Sequence, residues 1–449
     1  MPEIDALLNS TILVIVIAIM GLVVIINPYI GLAFTVASQS IVDVLPTIPG
    51  FTSFVPLIGL VTVAAFIIQA GRRHIKGAFK FYTPHIFGLV FIFWFFVTNP
   101  SAAWSGVDRN WFFTYAQLWV LMWLSSFMIN TPKKQQVLMW IFTITTVITA
   151  IAIFNRGGFL EEIDPTIRAA GFTQGANTAA RYFIISFVFL YYLRTTVKST
   201  IWRTVSLVGM IIIFLAVYYT VSRTGMVLLA IAIILIFLLN PRMKNRVQII
   251  IIAVIAFTIL LIFSSSILQI IGEIVPTVRQ GTDTMGLRYA LWEAGWEMWK
   301  DHPLFGVGMG MFPSTLKYYP NPTYSMFFMR GLVAHNTYVA ILAETGLIGF
   351  ILFSGLLISV VHSLLKSRKK LDEEWKPIAN VWLIVMIILL IGGITKTDQA
   401  EKILWLTMGV ITFVANQTKT TFSKNHTSNT KTDPKDKHLH RTKTLEDGK

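Results

Sequence analysis

The chain has 449 residues, of which 55% are hydrophobic and 13% charged, with a formal net charge of +15 and no cysteine. A soluble domain carries about 25% charged residues, so this composition excludes an ordinary globular protein and predicts an integral membrane protein. The absence of cysteine excludes disulfide frameworks, thiolate metal sites and cysteine nucleophiles, but leaves the redox compartment open.

The apolar runs that cross a bilayer are read in chain order as Thr11–Ile26, Tyr29–Leu45, Phe54–Ala70, His85–Thr98, Phe112–Ile129, Val137–Phe154 and Ala176–Leu193. Thr204–Tyr219, Thr224–Leu239, Val247–Ser264, Thr337–Leu365, Ile378–Ile394 and Ile403–Ala415 complete the series. About 20 apolar residues span the hydrocarbon core as a helix, so the expected fold is all-α and polytopic, with about 12–13 transmembrane helices. The first run follows Glu3 and Asp5 and no basic residue, the wrong flank for a cleavable signal, so it reads as a retained span. No internal repeat of the kind expected for many transporters is visible. Three parts result: N-terminal spans over 1–154, a second membrane unit over 155–416, and a basic tail over 417–449. The tail is poor in apolar residues and is expected to be disordered and cytoplasmic.

Charge sets the orientation. Basic residues concentrate in alternate loops: Arg72 to Lys80, Lys133 and Lys134, Arg194 to Arg203, Arg242 to Arg246, Lys366 to Lys376, and the tail. They explain the positive net charge without nucleic acid, and the positive-inside rule assigns that side to the cytoplasm. The N-terminus and the segments Asn155–Gly175, Val221–Arg223, Leu268–His335 and Thr395–Lys402 then share the opposite, extracytoplasmic face.

Candidate chemistry collects on that face. Arg168 and Arg181 flank ThrGlnGlyAlaAsn at 173–177, where Asn177 is placed to cap the following helix. Arg181 adds to a basic patch or pairs with Asp164 or another neighbour. Arg223, in Tyr219-Thr-Val-Ser-Arg-Thr-Gly225, lies between two spans with almost no loop; it reads as a ligand-binding guanidinium or as a snorkelling anchor. Gly225 lets a backbone or a ligand come close.

The long loop Leu268–His335 carries Arg288 at the head of LRYALWEAGWEMWKDHP. At ~100° per residue Trp292, Trp296 and Trp299 share a face with Arg288, as expected of a helix resting at the membrane interface with its indoles among the headgroups. A charge on that face needs a partner, and an anionic headgroup or pyrophosphate supplies one bidentately. Gly306, Gly308 and Gly310 permit a tight turn, structural or close to a ligand. His335 and Asn336 open a span, with Tyr338 one turn on and Glu344 deeper. The helix dipole favours a neutral His335 that accepts a proton, while Glu344 reads as a packing residue. The acids and histidines do not fall at metal-ligand spacings, so no metal is expected.

The ordered motifs AAGFTQGAN, SRTG, RYALW, HPLFGVGMGMF and HNTYVAILAETG, from Arg168 to Gly349, together resemble the O-antigen ligase and polymerase superfamily of polytopic glycosyltransferases. The resemblance implies an all-helical GT-C-like fold and no metal, nucleotide or other cofactor. It further implies en bloc transfer of an undecaprenyl-pyrophosphate-linked glycan to an acceptor hydroxyl, of the lipid A core type, outside the plasma membrane. By the same resemblance Arg223 and Arg288 hold the pyrophosphate and His335 is the base. Trp292, Asn336, Tyr338, Gly308, Arg168, Arg181 and Asn177 are the surrounding substrate-contact candidates. The expected partners are the lipid-linked donor, a glycan or lipid acceptor, and the bilayer. A polymerase of the same superfamily, a lipid-linked sugar transporter with midplane charges, and a non-catalytic scaffold are the competing readings.

Overall fold

The structure is a computed structural model that describes residues 15–45, 55–72, 80–98, 106–156, 171–173, 175–239, 284–321 and 331–417. The expected span Val247–Ser264, the candidate Arg168 and the tail beyond residue 417 lie outside the described residues. Helices connected by turns make up what is described, and the protein is an all-α polytopic membrane protein. Helices answer the bilayer because each satisfies its backbone N–H and C=O groups within one segment.

In chain order the helices are α1 (Ile15–Ile26), α2 (Pro28–Ala37), which continues as a 3-10 helix over Ser38–Val44, α3 (Val55–Arg72), α4 (Thr83–Thr98) and α5 (Gly106–Met128). Next come α6 (Pro132–Arg156), α7 (Ala176–Thr196), α8 (Thr200–Tyr219), α9 (Arg223–Leu239) and α10 (Thr284–Asp301). The last are α11 (Thr337–Arg368), α12 (Trp375–Gly392) and α13 (Lys402–Ala415).

Among the described residues five helices are long and apolar enough to cross a membrane: α3, the Pro132–Phe154 part of α6, α8, α11 and α12. The expected span Phe112–Ile129 overlaps α5 up to Met128 and Ala176–Leu193 falls within α7, helices of 23 and 21 residues. These two carry more polar side chains, and Ser125, Ser126 and Arg181 are turned inward and buried. Large apolar side chains face outward elsewhere, among them Phe93 at 65%, Ile211 at 53% and Ile358 at 66% exposure. Water would oppose so extended an apolar surface, whereas lipid covers it.

Two poles organise the bundle. At the basic pole the Tyr29 hydroxyl donates to the Lys134 carbonyl at 2.6 Å, and Gln69 Nε2 donates to the Ile25 and Ile26 carbonyls at 2.9 Å each. The chain therefore turns at Asn27, the single residue between α1 and α2, at the same end as Lys134. The side chain of Val24 lies against the backbone of Gly31, so α1 folds back on α2. That end also holds the start of α12, where Trp382 Nε1 donates to Gln135 at 2.6 Å and Asn380 Nδ2 to the Leu239 carbonyl at 3.0 Å. The opposite pole gathers the starts of α7, α9, α11 and α13 with the end of α12. Between the poles α12 and α13 form the centre, and Trp382 and Trp405 are fully buried.

Candidate functional site

The second pole is built around the start of α11. Asn336 caps this helix, its side-chain oxygen accepting from the Tyr338 and Val339 N–H groups at 2.9 and 3.2 Å. Thr337 anchors it: its N–H donates to the Gly393 carbonyl at 2.7 Å and its hydroxyl to the Lys396 carbonyl at 2.9 Å, while accepting from the Asp398 N–H at 2.7 Å. The Tyr338 hydroxyl donates to the Leu390 carbonyl at 2.7 Å. Asn336 and Tyr338, expected among the substrate contacts, therefore spend these polar groups on capping α11 and on fixing it against α12, respectively.

His335 sits immediately before this cap. Its φ is +49°, and Val221, two residues before Arg223, has φ +50°. Positive φ is uncommon for a residue other than glycine and unfavourable for a β-branched one. Such strain gathers at functional sites, at a cost of about 1–3 kcal/mol each. Burial lowers the His335 pKa, and the nearby charges of Arg288 and Lys396 lower it further. The neutral imidazole expected from the helix dipole is thus favoured, chiefly through burial and two neighbouring cations.

Arg288 is half-buried on α10, beside His335, and burial works against its charge. The helix presents Ala290, Leu291, Ala294 and Met298 to the interior, and the backbone of Gly295 lies against Val339 of α11. The tryptophans occupy the flank of that contact. Trp292 Nε1 donates to the Ala334 carbonyl at 3.0 Å, tying α10 to the residue before His335, and Trp296 is 49% exposed with its ring 4.6 Å from that of Trp299. The small-residue face, which lets the helix backbones approach, is what docks α10; the indole face is not its buried side.

The glycine turn has a structural task. Helix α11 breaks at Gly346, where φ is +65°. The turn enters that break: Val307 N–H donates to the Ala343 carbonyl, Gly308 N–H to the Glu344 carbonyl, both at 2.9 Å, and Leu347 N–H to the Pro303 carbonyl at 2.8 Å. A side chain at Gly346 would stand 2.3 Å from the backbone of Leu304, and one at Gly306 would stand 2.4 Å from that of Glu344. Glu344 Oε1 accepts from the Phe312 N–H at 3.2 Å, consistent with a packing residue. The Gly308 donor, expected to face substrate, is committed to the protein.

Arg223 is the first residue of α9 and is exposed. Ser222 before it donates to Asn177 Oδ1 at 2.8 Å, so the SRTG and QGAN motifs meet. Gly175, not Asn177, holds the capping position of α7. A side chain at Gly225 would stand 2.7 Å from the Cβ of Ala180; a neighbouring helix, not a ligand, makes the close approach there.

Beside these residues lies an ion network in which Arg181 finds the neighbouring partner that the sequence allowed, while Lys396, Asp398 and Glu401 were not singled out. Arg181 forms a buried ion pair with Asp398. Lys396 pairs with Glu401 at 2.5 Å and Asp398 at 3.5 Å, and donates to Thr178 at 2.7 Å. The Tyr182 hydroxyl donates to Glu401 Oε2 at 3.2 Å. Burial pushes the Glu401 carboxyl up, but Lys396, Arg181 and the hydrogen bonds from Lys396 and Tyr182 outweigh it and hold the group below its ordinary value. The legible signal was the segment Lys396-Thr-Asp-Gln-Ala-Glu-Lys402, where charge alternates in a short connection between two apolar helices.

The pole thus brings Arg288, His335 and Lys396 together. It sets Arg223 at the adjoining helix start, linked through Ser222, Asn177, Thr178 and Lys396. Among the described residues no group of three or more histidines and acids could hold a metal ion. Residues 208–354 match the family model described as O-Antigen ligase, and no curated protein matches the chain.

Proposed function

We propose that this member of the O-antigen ligase and polymerase superfamily transfers a glycan from undecaprenyl pyrophosphate to an acceptor hydroxyl at the extracytoplasmic face of the plasma membrane. The acceptor hydroxyl attacks the anomeric carbon, the bond from that carbon to the pyrophosphate oxygen breaks, and the hydroxyl proton passes to His335. Direct displacement inverts the anomeric configuration. Arg223 and Arg288 neutralise the charge growing on the departing pyrophosphate, as fixed donors aimed at developing charge do in transition states. The orientation follows from the basic loops at the other pole.

One observation carries the reading: a half-buried histidine kept neutral beside an arginine that has no ion pair among the described residues. A neutral imidazole accepts a proton, and an uncompensated guanidinium holds an anion. Both lie within the matched segment. Nothing at the pole selects between a ligase and a polymerase, because both need the same anion site and base.

The test is purified protein with a labelled undecaprenyl-pyrophosphate oligosaccharide, candidate acceptors and a chelator. Transfer with inversion, retained in the chelator and lost in His335→Ala, is expected. Transfer undiminished in His335→Ala removes the base from the proposal.

A further inference from the structure

Three neighbouring hollows in the structure share wall residues. An apolar groove of about 470 Å³ lies between α2, α3 and α5, lined by Leu32, Val55, Leu60, Ile67, Phe113 and Leu121 among others. A polar cavity of about 270 Å³ lies at the site pole, walled by Gln39, Thr178, Tyr182, Thr397, Glu401 and Lys402. A narrow cleft that includes Thr35, Gln39 and Leu121 joins them. Lys402 lines all three.

We propose that these adjoining hollows bind a phospholipid, with its phosphate at Lys402 and an acyl chain in the groove. The groove volume falls within the ~300–1,000 Å³ usual for small-molecule sites. Its direction fits: α3 and α5 both start at the site pole, so the groove runs from Val55 and Phe113 at that pole inward to Ile67 and Leu124. A lipid of the leaflet at that pole has the same polarity, head at the surface and chain inward.

The charges fit as well. Glu401, the carboxylate in the cavity wall, is already held by Lys396 and Tyr182. Lys402 lies in the field of Glu401 but forms no ion pair with a described residue, so its ammonium keeps hydrogen-bond donors for an anion. The Thr397 hydroxyl, also in the wall, is buried without a partner and is available to a headgroup oxygen. Bulk lipid covers any apolar face; a recessed ammonium where the groove turns polar makes this a site.

The test needs neither donor nor acceptor. Full-length protein in nonionic detergent is titrated with dioleoyl phosphatidic acid, and bound lipid is counted by native mass spectrometry. Dioleoylglycerol supplies the chains without the phosphate, and inorganic phosphate supplies the head without the chains. Phosphatidic acid is expected to bind at least about tenfold more tightly than dioleoylglycerol, the scale of a charged hydrogen bond. Inorganic phosphate at the same concentration is expected not to displace it. Lys402→Gln should weaken phosphatidic acid by about the same factor. Gly59→Phe, at a groove position where an added Cβ meets nothing within 4 Å, should weaken both lipids. Lys317→Gln, an exposed lysine outside the hollow, should change nothing. Unchanged binding in Lys402→Gln or Gly59→Phe, or an equal loss in Lys317→Gln, overturns the proposal.

Discussion

Two groups of cations stand side by side at one pole and differ in one respect. Arg181 and Lys396 are matched by Asp398 and Glu401, within hydrogen-bonding or ion-pair reach. Arg288 and Arg223 form no ion pair among the described residues, and burial, with the charge of Arg288 added to it, keeps His335 neutral. A charge-matched network serves to hold α7, α11 and α13 together. Arg288 and Arg223, unpaired among the described residues, are the cations to which the proposed function assigns an anion. The same residue type thus does structural work in one place and is proposed for chemistry in the other, and the partner is the difference.

The contrast can be broken by mutation. His335→Ala should lower the transfer rate by roughly 10²–10⁴-fold, the usual worth of a general base, with protein yield unchanged; a full rate in single-turnover assays would remove histidine from the unsaturated group. Arg288→Ala should cost about 10²–10³-fold in rate, as the loss of one fixed transition-state donor does, again with normal yield. If Arg288→Ala instead fails to accumulate, that arginine belongs with the structural cations.

Asp398→Ala should do the reverse. It strands the buried Arg181, and breaking such a pair costs about 3–5 kcal/mol, to be read as a lower thermal midpoint in detergent and a fall in yield. A midpoint equal to that of the unaltered protein would show that the network is not a clamp.

A smaller effect sharpens the comparison through pH. His335 must be neutral to accept a proton, and its pKa lies below the ordinary value of about 6.5. Activity should therefore persist as pH falls to that value and decline only below it. Removing the Arg288 charge removes one cause of the depression, so in residual activity of Arg288→Ala the acid limb should move to higher pH. A limb that stays in place would detach the arginine from the histidine.

The smallest expected effect is topological. The chain contains no cysteine, so Lys317→Cys introduces a lone thiol on the exposed loop. An impermeant maleimide should label it from outside intact cells with little change in activity; labelling confined to inverted membranes would put the whole pole on the cytoplasmic side.

Much of this was legible before folding. Arg223, Arg288 and His335 stood out because a charge or an imidazole beside long apolar runs is costly to keep there. The alternation of basic loops anticipated a basic pole, and the structure sets the α1–α2 turn at that end beside Lys134. Several contacts were not legible. Asn177 was expected as a helix cap and instead accepts from Ser222, because the start of α9 packs across the start of α7. Gly308 was expected near substrate and instead closes onto the Glu344 carbonyl, a pairing that exists only because α11 breaks at Gly346. Local patterns cannot report which distant carbonyl is left open.

By itself the sequence determined that the chain lives in a bilayer as helices, where its basic loops lie, and at which three residues a site is proposed. Those follow from hydropathy, charge placement and side-chain type, all properties of the chain taken locally. Only the tertiary structure decided which cations are neutralised. Arg181 and Asp398 are 217 residues apart, so their pairing depends on how α7 and the connection before α13 pack. A charge acts through its nearest opposite charge, and that neighbour is chosen by the fold.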